Sequence, residues 1–309
     1  MSGFAVVNPK SAGGRTGRDW RSLSRALNAV YPSIEIAMTR RRGDATMLVR
    51  EALKDGHAEI VAVGGDGTIN EAVNGMFDAV GPIAPDAVFA FVTSGTGGDF
   101  RKTFGIDAGP LAALARLKTA KVRPIDVGRV SCVGPSGEAV VRHFVNIASF
   151  GLSGVIVERV NRARLFKLFG GTFAFGFHSA LAMMRFRPHP VRLHIEGSVD
   201  EIARIATVAV ANGRYFGGGM KVAPDALPDD GLFDVVVLSG GNAVGDLKLL
   251  YTGEHLGRPG VEVHQAAKIV VAPVLETRRR PVFIETDGES AGRLPATFEI
   301  LPWALNLRC

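Results

Sequence analysis

The chain has 309 residues, of which 47% are hydrophobic, 21% charged and 7% aromatic; this composition supplies a core and excludes global disorder. Lys and Arg number 36 against 30 Asp and Glu, a formal charge of +6, which favours polyanionic partners such as nucleotide phosphates or anionic lipid. Two cysteines, Cys132 and Cys309, exclude a disulfide framework, and the lack of HExxH and CxxC spacings argues against a structural zinc.

At ~150 residues per domain the length favours two domains. Met1 to Pro9 carries neither a basic n-region nor a long apolar h-region, so it is not expected to be a signal peptide. Short apolar strands are predicted at Phe4 to Asn8, Ile34 to Met38, Glu59 to Val63 and Ala87 to Val92. Amphipathic helices are predicted at Arg18 to Val30, Asp44 to Lys54 and Ile69 to Phe77. That alternation is the mark of a parallel α/β layer. After Arg123 the texture changes. Val127 to Val133 and Ala139 to Ala148 flank a Gly134-Pro135-Ser136-Gly137 turn, which predicts a hairpin. Further strands are expected at Val191 to Ile195, Ile205 to Ala211, Phe233 to Leu238, Lys268 to Ala272, Val282 to Glu285 and Thr297 to Leu301. The fold class is therefore α/β plus β: an N-terminal parallel-sheet nucleotide domain over 1–125, then a β-sandwich-like domain over 126–294.

Arg159 to Arg187 interrupts the β-rich half with six phenylalanines and flanking basic residues. It reads either as a helical pair with a solvated basic rim or as an apolar lip that takes up lipid at a membrane surface. Lys167 and paired glycines break its apolar centre, so it is not expected to span a bilayer. No zinc-finger spacing or RNA-recognition signature occurs, and a nucleic-acid partner is not expected.

Three glycine-rich or polar turns follow predicted strands: Asn8-Pro9-Lys10-Ser11-Ala12-Gly13-Gly14, Gly64-Gly65-Asp66-Gly67-Thr68-Ile69-Asn70-Glu71, and Ser94-Gly95-Thr96-Gly97-Gly98-Asp99. Glycines let a backbone approach a ligand, and N–H groups at a helix start favour anions. All three turns would lie at the carboxyl ends of parallel strands, where open α/β sheets bind ligands. None reads GxxxxGK[ST] or, after the first strand, GxGxxG, so neither a P-loop nor a dinucleotide fingerprint is present. Downstream, Pro224 to Asp234 interleaves carboxylates with turn residues, a supply of oxygens for a hard cation or simply an acidic turn. Glu285-Thr286-Asp287-Gly288-Glu289 places carboxylates around a glycine at a strand end, suited to general-base work or to a plain hairpin. A phosphate cradle, a cation and a carboxylate together favour phosphoryl transfer over passive binding.

These motifs, in this order, resemble the soluble lipid kinases with a diacylglycerol-kinase-type catalytic domain, a family that includes bacterial diacylglycerol kinases and is related to sphingosine and ceramide kinases. Asn8 to Gly13, Val63 to Glu71 with Asn74-Gly75, Gly95-Thr96 with Asp99-Phe100, Asn212-Gly213, Gly217 to Gly219, Asp230-Gly231 and Asp287-Gly288-Glu289 carry the resemblance over nearly the whole chain. It implies ATP as donor, held by Asn8, Pro9, Lys10, Ser11 and Ala12, by Thr39 before Arg40-Arg41-Arg42, by Gly64, Gly65, Asp66, Gly67, Thr68, Ile69 and Asn70, and by Thr96. It implies Mg²⁺ on the Asp230 carboxylate with backbone oxygens of Leu227 and Leu232. Glu289 is implied as proton acceptor, with Asp287 beside it in a metal and water network; in the wider family the base has also been placed at the position of Asp66. The implied acceptor is a diacylglycerol-like lipid at the inner membrane face, the protein being otherwise cytoplasmic. A homodimer is allowed, and residues 295–309 are expected to return to the first domain. A kinase for a soluble acceptor such as NAD or a sugar, or a non-catalytic lipid- or nucleotide-binding regulator, are the alternatives. One position departs from the pattern: the family reads Gly-Thr-x-Asn-Asp where this chain has Gly98.

Overall fold

The computed structural model describes residues 2–94, 98–106, 109–162, 188–239, 247–274 and 281–309. Four strands open the fold: β1 (Gly3–Val7), β2 (Glu35–Met38), β3 (Glu59–Gly64) and β4 (Val88–Thr93). They pair in parallel in the order β2-β1-β3-β4. Alternate residues explain why both faces are apolar. Phe4, Val6, Ile60, Ala62, Phe89 and Phe91 face one way, against Val49 and Leu53 of α3 (Asp44–Lys54) and Ile69 and Val73 of α4 (Asp66–Met76). Ala5, Val7, Val61, Val63, Ala90 and Val92 face the other, against Leu23 and Leu27 of α2 (Trp20–Val30) and Leu114 of α6 (Pro110–Leu117). α3 and α4 touch at Gly75, where a Cβ would stand 2.7 Å from the Thr46 carbonyl oxygen. The helix expected over Arg18 to Val30 is α2; a further short helix, α1 (Ser11–Arg18), precedes it, and its opening turn holds Ala12, Gly13 and Gly14 in left-handed conformations. α5 (Asp99–Thr103) is a short turn after β4.

The remaining strands pair antiparallel with one another around a second core. β5 (Val122–Val133) and β6 (Ala139–Phe144) form the expected hairpin. The hairpin stops at Phe144, because the N–H groups of Val145, Asn146 and Ile147 all donate to the Asp287 carboxylate. The chain then re-enters the sheet as β7 (Ile147–Gly151) and continues into α7 (Leu152–Arg162). The rest of Arg159 to Arg187, from 163 on, lies outside the described residues. β8 (His189–Ile195), β9 (Val199–Ala211), β10 (Phe233–Ser239), α8 (Leu247–Thr252), β11 (Val261–Ala266), β12 (Lys268–Pro273) and β13 (Phe283–Thr286) follow. β11 escapes the apolar-run criterion because Glu262, His264 and Gln265 lie along its six residues.

The twenty-residue β14 (Glu289–Arg308) joins the halves. Its first part pairs antiparallel with β13, β12 and β5, and its end pairs parallel with β4 at Asn306↔Val88 and Leu307↔Phe89. Between them the register shifts at a bulge near Trp303, whose φ is 52°. Among the described residues the hydrogen-bonded ladder is thus one sheet of fourteen strands, not a sandwich detached from the first layer. No helix among the described residues is long and apolar enough to cross a membrane.

Candidate active site

The ends of β1, β3 and β4 converge, and their loops are tied to one another. Asn8 donates from Nδ2 to Thr68 Oγ1 at 3.1 Å, while its carbonyl accepts from Ser11 Oγ at 2.8 Å. Ser11 Oγ also lies 2.9 Å from Ser94 Oγ and 2.6 Å from Thr16 Oγ1, a knot of three hydroxyls between the first and third turns. Pro9 accepts from the Gly17 N–H at 3.0 Å. Thr39 is held at the same edge by its N–H to the Val7 carbonyl, and Lys10 Nζ reaches the Arg40 carbonyl at 3.2 Å. Ala12, at φ 52°, is an ordinary L-residue in a left-handed turn, a cost of about 1–2 kcal/mol that local geometry must offset.

α4 begins at this edge. Its N-cap is Gly65, which supplies no side-chain acceptor, and an added Cβ there would meet nothing within 4 Å. The helix start is therefore open to an anion. Gly64 must lack a side chain, since Thr68 Cβ would stand 2.6 Å from a Cβ there. Two expected contact residues face elsewhere. Ile69 is buried in the core and its N–H bonds to the Gly65 carbonyl. Asn70 is buried too, its amide donating to Asp287 Oδ2 at 3.0 Å and to the His143 carbonyl at 3.2 Å. Both serve the site by fixing α4. Thr96 lies outside the described residues.

The carboxylates divide into two kinds. Asp66 accepts the Gly98 N–H on Oδ2 at 2.9 Å, and its Oδ1 is buried with no partner among the described residues. Burial pushes its pKa up, against the hydrogen bond from Gly98. Asp99 takes Lys102 Nζ on one oxygen and the Gly218 N–H on the other, both at 2.7 Å, and so ties α5 to the Gly217–Gly219 loop. From the opposite half comes the β13–β14 turn. Glu289 is part-exposed, pairs with Arg42, and brings Oε1 to 2.8 Å from where a Cβ on Gly67 would stand.

Behind Glu289, Asp287 sits in a left-handed turn with φ 50° and is saturated by Val145, Asn146 and Ile147 N–H groups, each at 3.1 Å, and by Asn70. Burial outweighs these bonds and raises its pKa to about 6. The expected place of Asp287 in a metal and water network does not match this geometry: its oxygens are spent on protein donors, so it holds the turn. Glu285 was not singled out by the sequence. It is buried, accepts from Ser149 Oγ and, at 2.8 Å, from the Gly288 N–H, and burial raises its pKa to about 7. Its signal was only its place in the Glu-Thr-Asp-Gly-Glu run. Arg42 was visible as a basic residue but carried no assigned role.

The Pro224 to Asp234 loop forms a separate cluster. Asp230 Oδ1 accepts the Leu232 N–H at 3.0 Å, the Gly231 N–H bonds to Asp126 Oδ2 at 2.7 Å, and Leu227 is exposed. Asp126 also accepts the Trp303 N–H, so it braces both this loop and the β14 bulge. Asp230 adds negative potential to Asp126 and to Asp234, whose pKa burial and its neighbours raise to about 6. Among the described residues no group of three or more His, Cys, Asp or Glu side chains is placed to hold a metal.

The loops after β1, β3 and β4 in one half are thus faced by the Glu289 carboxylate from the other, the arrangement of a two-domain fold. Comparisons agree. Residues 2–130 match the diacylglycerol kinase catalytic domain, and residues 146–309 match the YegS C-terminal NAD kinase beta sandwich-like domain. A "Probable lipid kinase YegS-like" of Stenotrophomonas maltophilia (strain K279a) is 31% identical over 312 residues, 98% of this chain and 94% of the relative. A "Diacylglycerol kinase" of Mycobacterium tuberculosis (strain ATCC 25618 / H37Rv) is 25% identical over 272 residues, 85% and 81% of the two chains. A crystal structure of a diacylglycerol kinase from Bacillus anthracis str. Sterne, 22% identical, shares the fold with a TM-score of 0.70 over 99% of this chain and 96% of that one. The chain belongs to the diacylglycerol-kinase and YegS-like lipid kinase family, and it is a kinase.

Proposed function

We propose that the protein is an ATP- and Mg²⁺-dependent lipid kinase that phosphorylates the hydroxyl of a diacylglycerol-like lipid. The observation that carries this reading is the approach of Glu289, from the β13–β14 turn, to Gly67 in the first turn of α4. A carboxylate there faces the helix start that would hold the transferring phosphate. The Asn8–Ser11 turn, with the Ser11, Thr16 and Ser94 hydroxyls and the α4 N-terminus, would bind the polyphosphate. Glu289 would take the proton of the acceptor hydroxyl as the hydroxyl oxygen attacks the γ-phosphorus and the bond to the β–γ bridging oxygen breaks, with ADP as the leaving group. Asp287 and Glu285 would hold the turn that carries Glu289.

The donors present suit a hard cation. Asp66 Oδ1 is a buried oxygen with no partner among the described residues, and in the separate Pro224 to Asp234 loop the Asp230 carboxylate with the Leu227 and Leu232 backbone oxygens would supply oxygen donors. When bound, Mg²⁺ would neutralise charge on the phosphates. The domain limits 1–125 and 126–294, with 295–309 in the first domain, are assigned as part of this reading, and so is work at the inner face of the membrane, where the +6 charge would favour anionic lipid. The test is transfer of label from ATP to a panel of dispersed lipids, with and without a Mg²⁺ chelator. Chelator-sensitive label in a diacylglycerol-type lipid supports the reading. Label only in NAD or a sugar, or ATP binding without product, overturns it.

A further inference from the structure

Arg42 and Glu289 are 247 positions apart and lie on opposite sides of the site, yet they form an ion pair through Arg42 Nη2 and Glu289 Oε2. Their side chains are 49% and 32% exposed. A pair so open to water is screened and adds little to stability, so it is a poor strut. The loop that carries Arg42 is built around a different anchor. Asp44, at the start of α3, accepts the N–H groups of Arg40 and Arg41 on Oδ2 at 2.8 and 3.0 Å, and its Oδ1 pairs with the Arg41 side chain at 3.2 Å. The Arg41 side chain is thereby held to Asp44, while Arg42, next to the left-handed Gly43, pairs with Glu289 across the cleft.

The carboxylate that Arg42 holds lies against the first turn of α4. That helix end and that guanidinium are both attractive to anions; Glu289 pairs with the guanidinium and lies beside the helix end. A polyphosphate arriving at the same edge competes for the same two partners. We propose that Arg42 is a positioning residue that exchanges its guanidinium between Glu289 and the nucleotide's polyphosphate, so that nucleotide binding releases the Glu289 carboxylate to receive the acceptor's proton. This rests on the nucleotide-site reading above. It differs from that reading in assigning the coupling to one side chain outside the glycine turns.

Two anions competing for one cation leave a signature in a double-mutant cycle. The experiment measures the Kd of the full-length protein for ATP with Mg²⁺ by calorimetry in wild type, Arg42→Ala, Glu289→Gln and the double variant, with thermal melting of each. Arg42→Ala is expected to weaken ATP by ~10-fold, and Glu289→Gln to tighten it by ~3-fold or more, because the competing charge is gone. In the Glu289→Gln background, loss of Arg42 is expected to cost at least ~3-fold more than in wild type. Arg42→Lys keeps the charge and should recover most of the affinity, whereas Arg42→Gln should not. Additive effects within ~2-fold, an unchanged Kd in Arg42→Ala, or a melting temperature lowered by more than ~5 °C in that variant would each overturn the exchange. Wild type that binds ATP and labels lipid while the cycle is additive removes the exchange alone; wild type that binds no ATP removes the nucleotide-site reading with it.

Discussion

Glu289 Oε1 lies 2.8 Å from the point where a side chain on Gly67 would begin. A side chain at that position would have to displace the carboxylate end of Glu289, although the backbone there is ordinary helix. The two residues come from segments that match two different domain families, so their contact closes the cleft between the halves. Gly67→Ala is expected to push the carboxylate aside while leaving the helix intact. Turnover should fall by about 10²-fold, the usual consequence of a misplaced reacting group, with the melting temperature unchanged or raised. Steady-state kinetics beside a thermal melt checks this, and a variant with wild-type turnover would contradict the contact.

Glu289→Gln removes the proton acceptor while keeping its shape. The kcat for lipid phosphorylation is expected to drop by about 10²- to 10⁴-fold. Because the carboxylate is part-exposed, folding should be unaffected. Unchanged turnover would take Glu289 out of the chemistry and return attention to Asp66, whose Oδ1 is buried with no partner among the described residues.

Asp287 is predicted to matter through structure. Its carboxylate receives three successive N–H groups from Val145 to Ile147 and the Asn70 amide. Asp287→Ala would leave these buried donors without an acceptor, a loss of about 3–5 kcal/mol. Reduced denaturant midpoint together with lost activity is the expected pair of results. Lost activity at full stability would instead restore Asp287 to a direct part in catalysis.

Stability should also depend on pH through Glu285. Its folded pKa, about 7, lies above the ordinary value of 4.5 because it is buried, and Asp287 behaves alike at about 6. Between about pH 4.5 and 7 the folded state therefore holds more protons than the unfolded state. Unfolding free energy falls as pH rises through that window, by up to about 3 kcal/mol for Glu285. Glu285→Gln should flatten this slope. The slope is the informative quantity, because the glutamine amide also alters the bond to the Gly288 N–H. Denaturant titrations at pH 5 to 8 measure it, and an unchanged slope would show that Glu285 does not titrate there.

The strands of the first layer were legible because their alternate residues are apolar on both faces, as with Phe4 and Val6 against Ala5 and Val7. The loops Asn8 to Ala12 and Gly64 to Thr68 were legible because glycine and small polar residues at strand ends have few other reasons to cluster. What local pattern could not supply was long-range partnership. Nothing in the sequence near Val145 says that three N–H groups will find a carboxylate at Asp287. Nothing near Arg42 names Glu289, and nothing near Trp303 shows that a bulge will let one strand serve both halves. Ile69 and Asn70 were drawn into the nucleotide loop by adjacency in sequence, but helical geometry turns them inward.

Gly98 stands where the family pattern has asparagine. Its φ of 65° and ψ of 48° are left-handed, and its N–H holds Asp66 Oδ2. Asparagine tolerates this conformation better than other side chains, which explains how the family pattern and this chain can share one backbone. An added Cβ would stand 2.7 Å from Arg101 Nε, so that side chain, held by Nη1 to the Ile106 carbonyl at 2.6 Å, must shift. Gly98→Asn is expected to keep kcat within ~3-fold and cost about 1 kcal/mol. Gly98→Val, β-branched and ill-suited to positive φ, should cost about 2 kcal/mol and release Asp66, lowering turnover at least ~10-fold. Parallel melts and kinetics of the two variants decide it: equal loss of turnover in both would mean that the departure from the family pattern acts through a lost side-chain contact and not through backbone conformation.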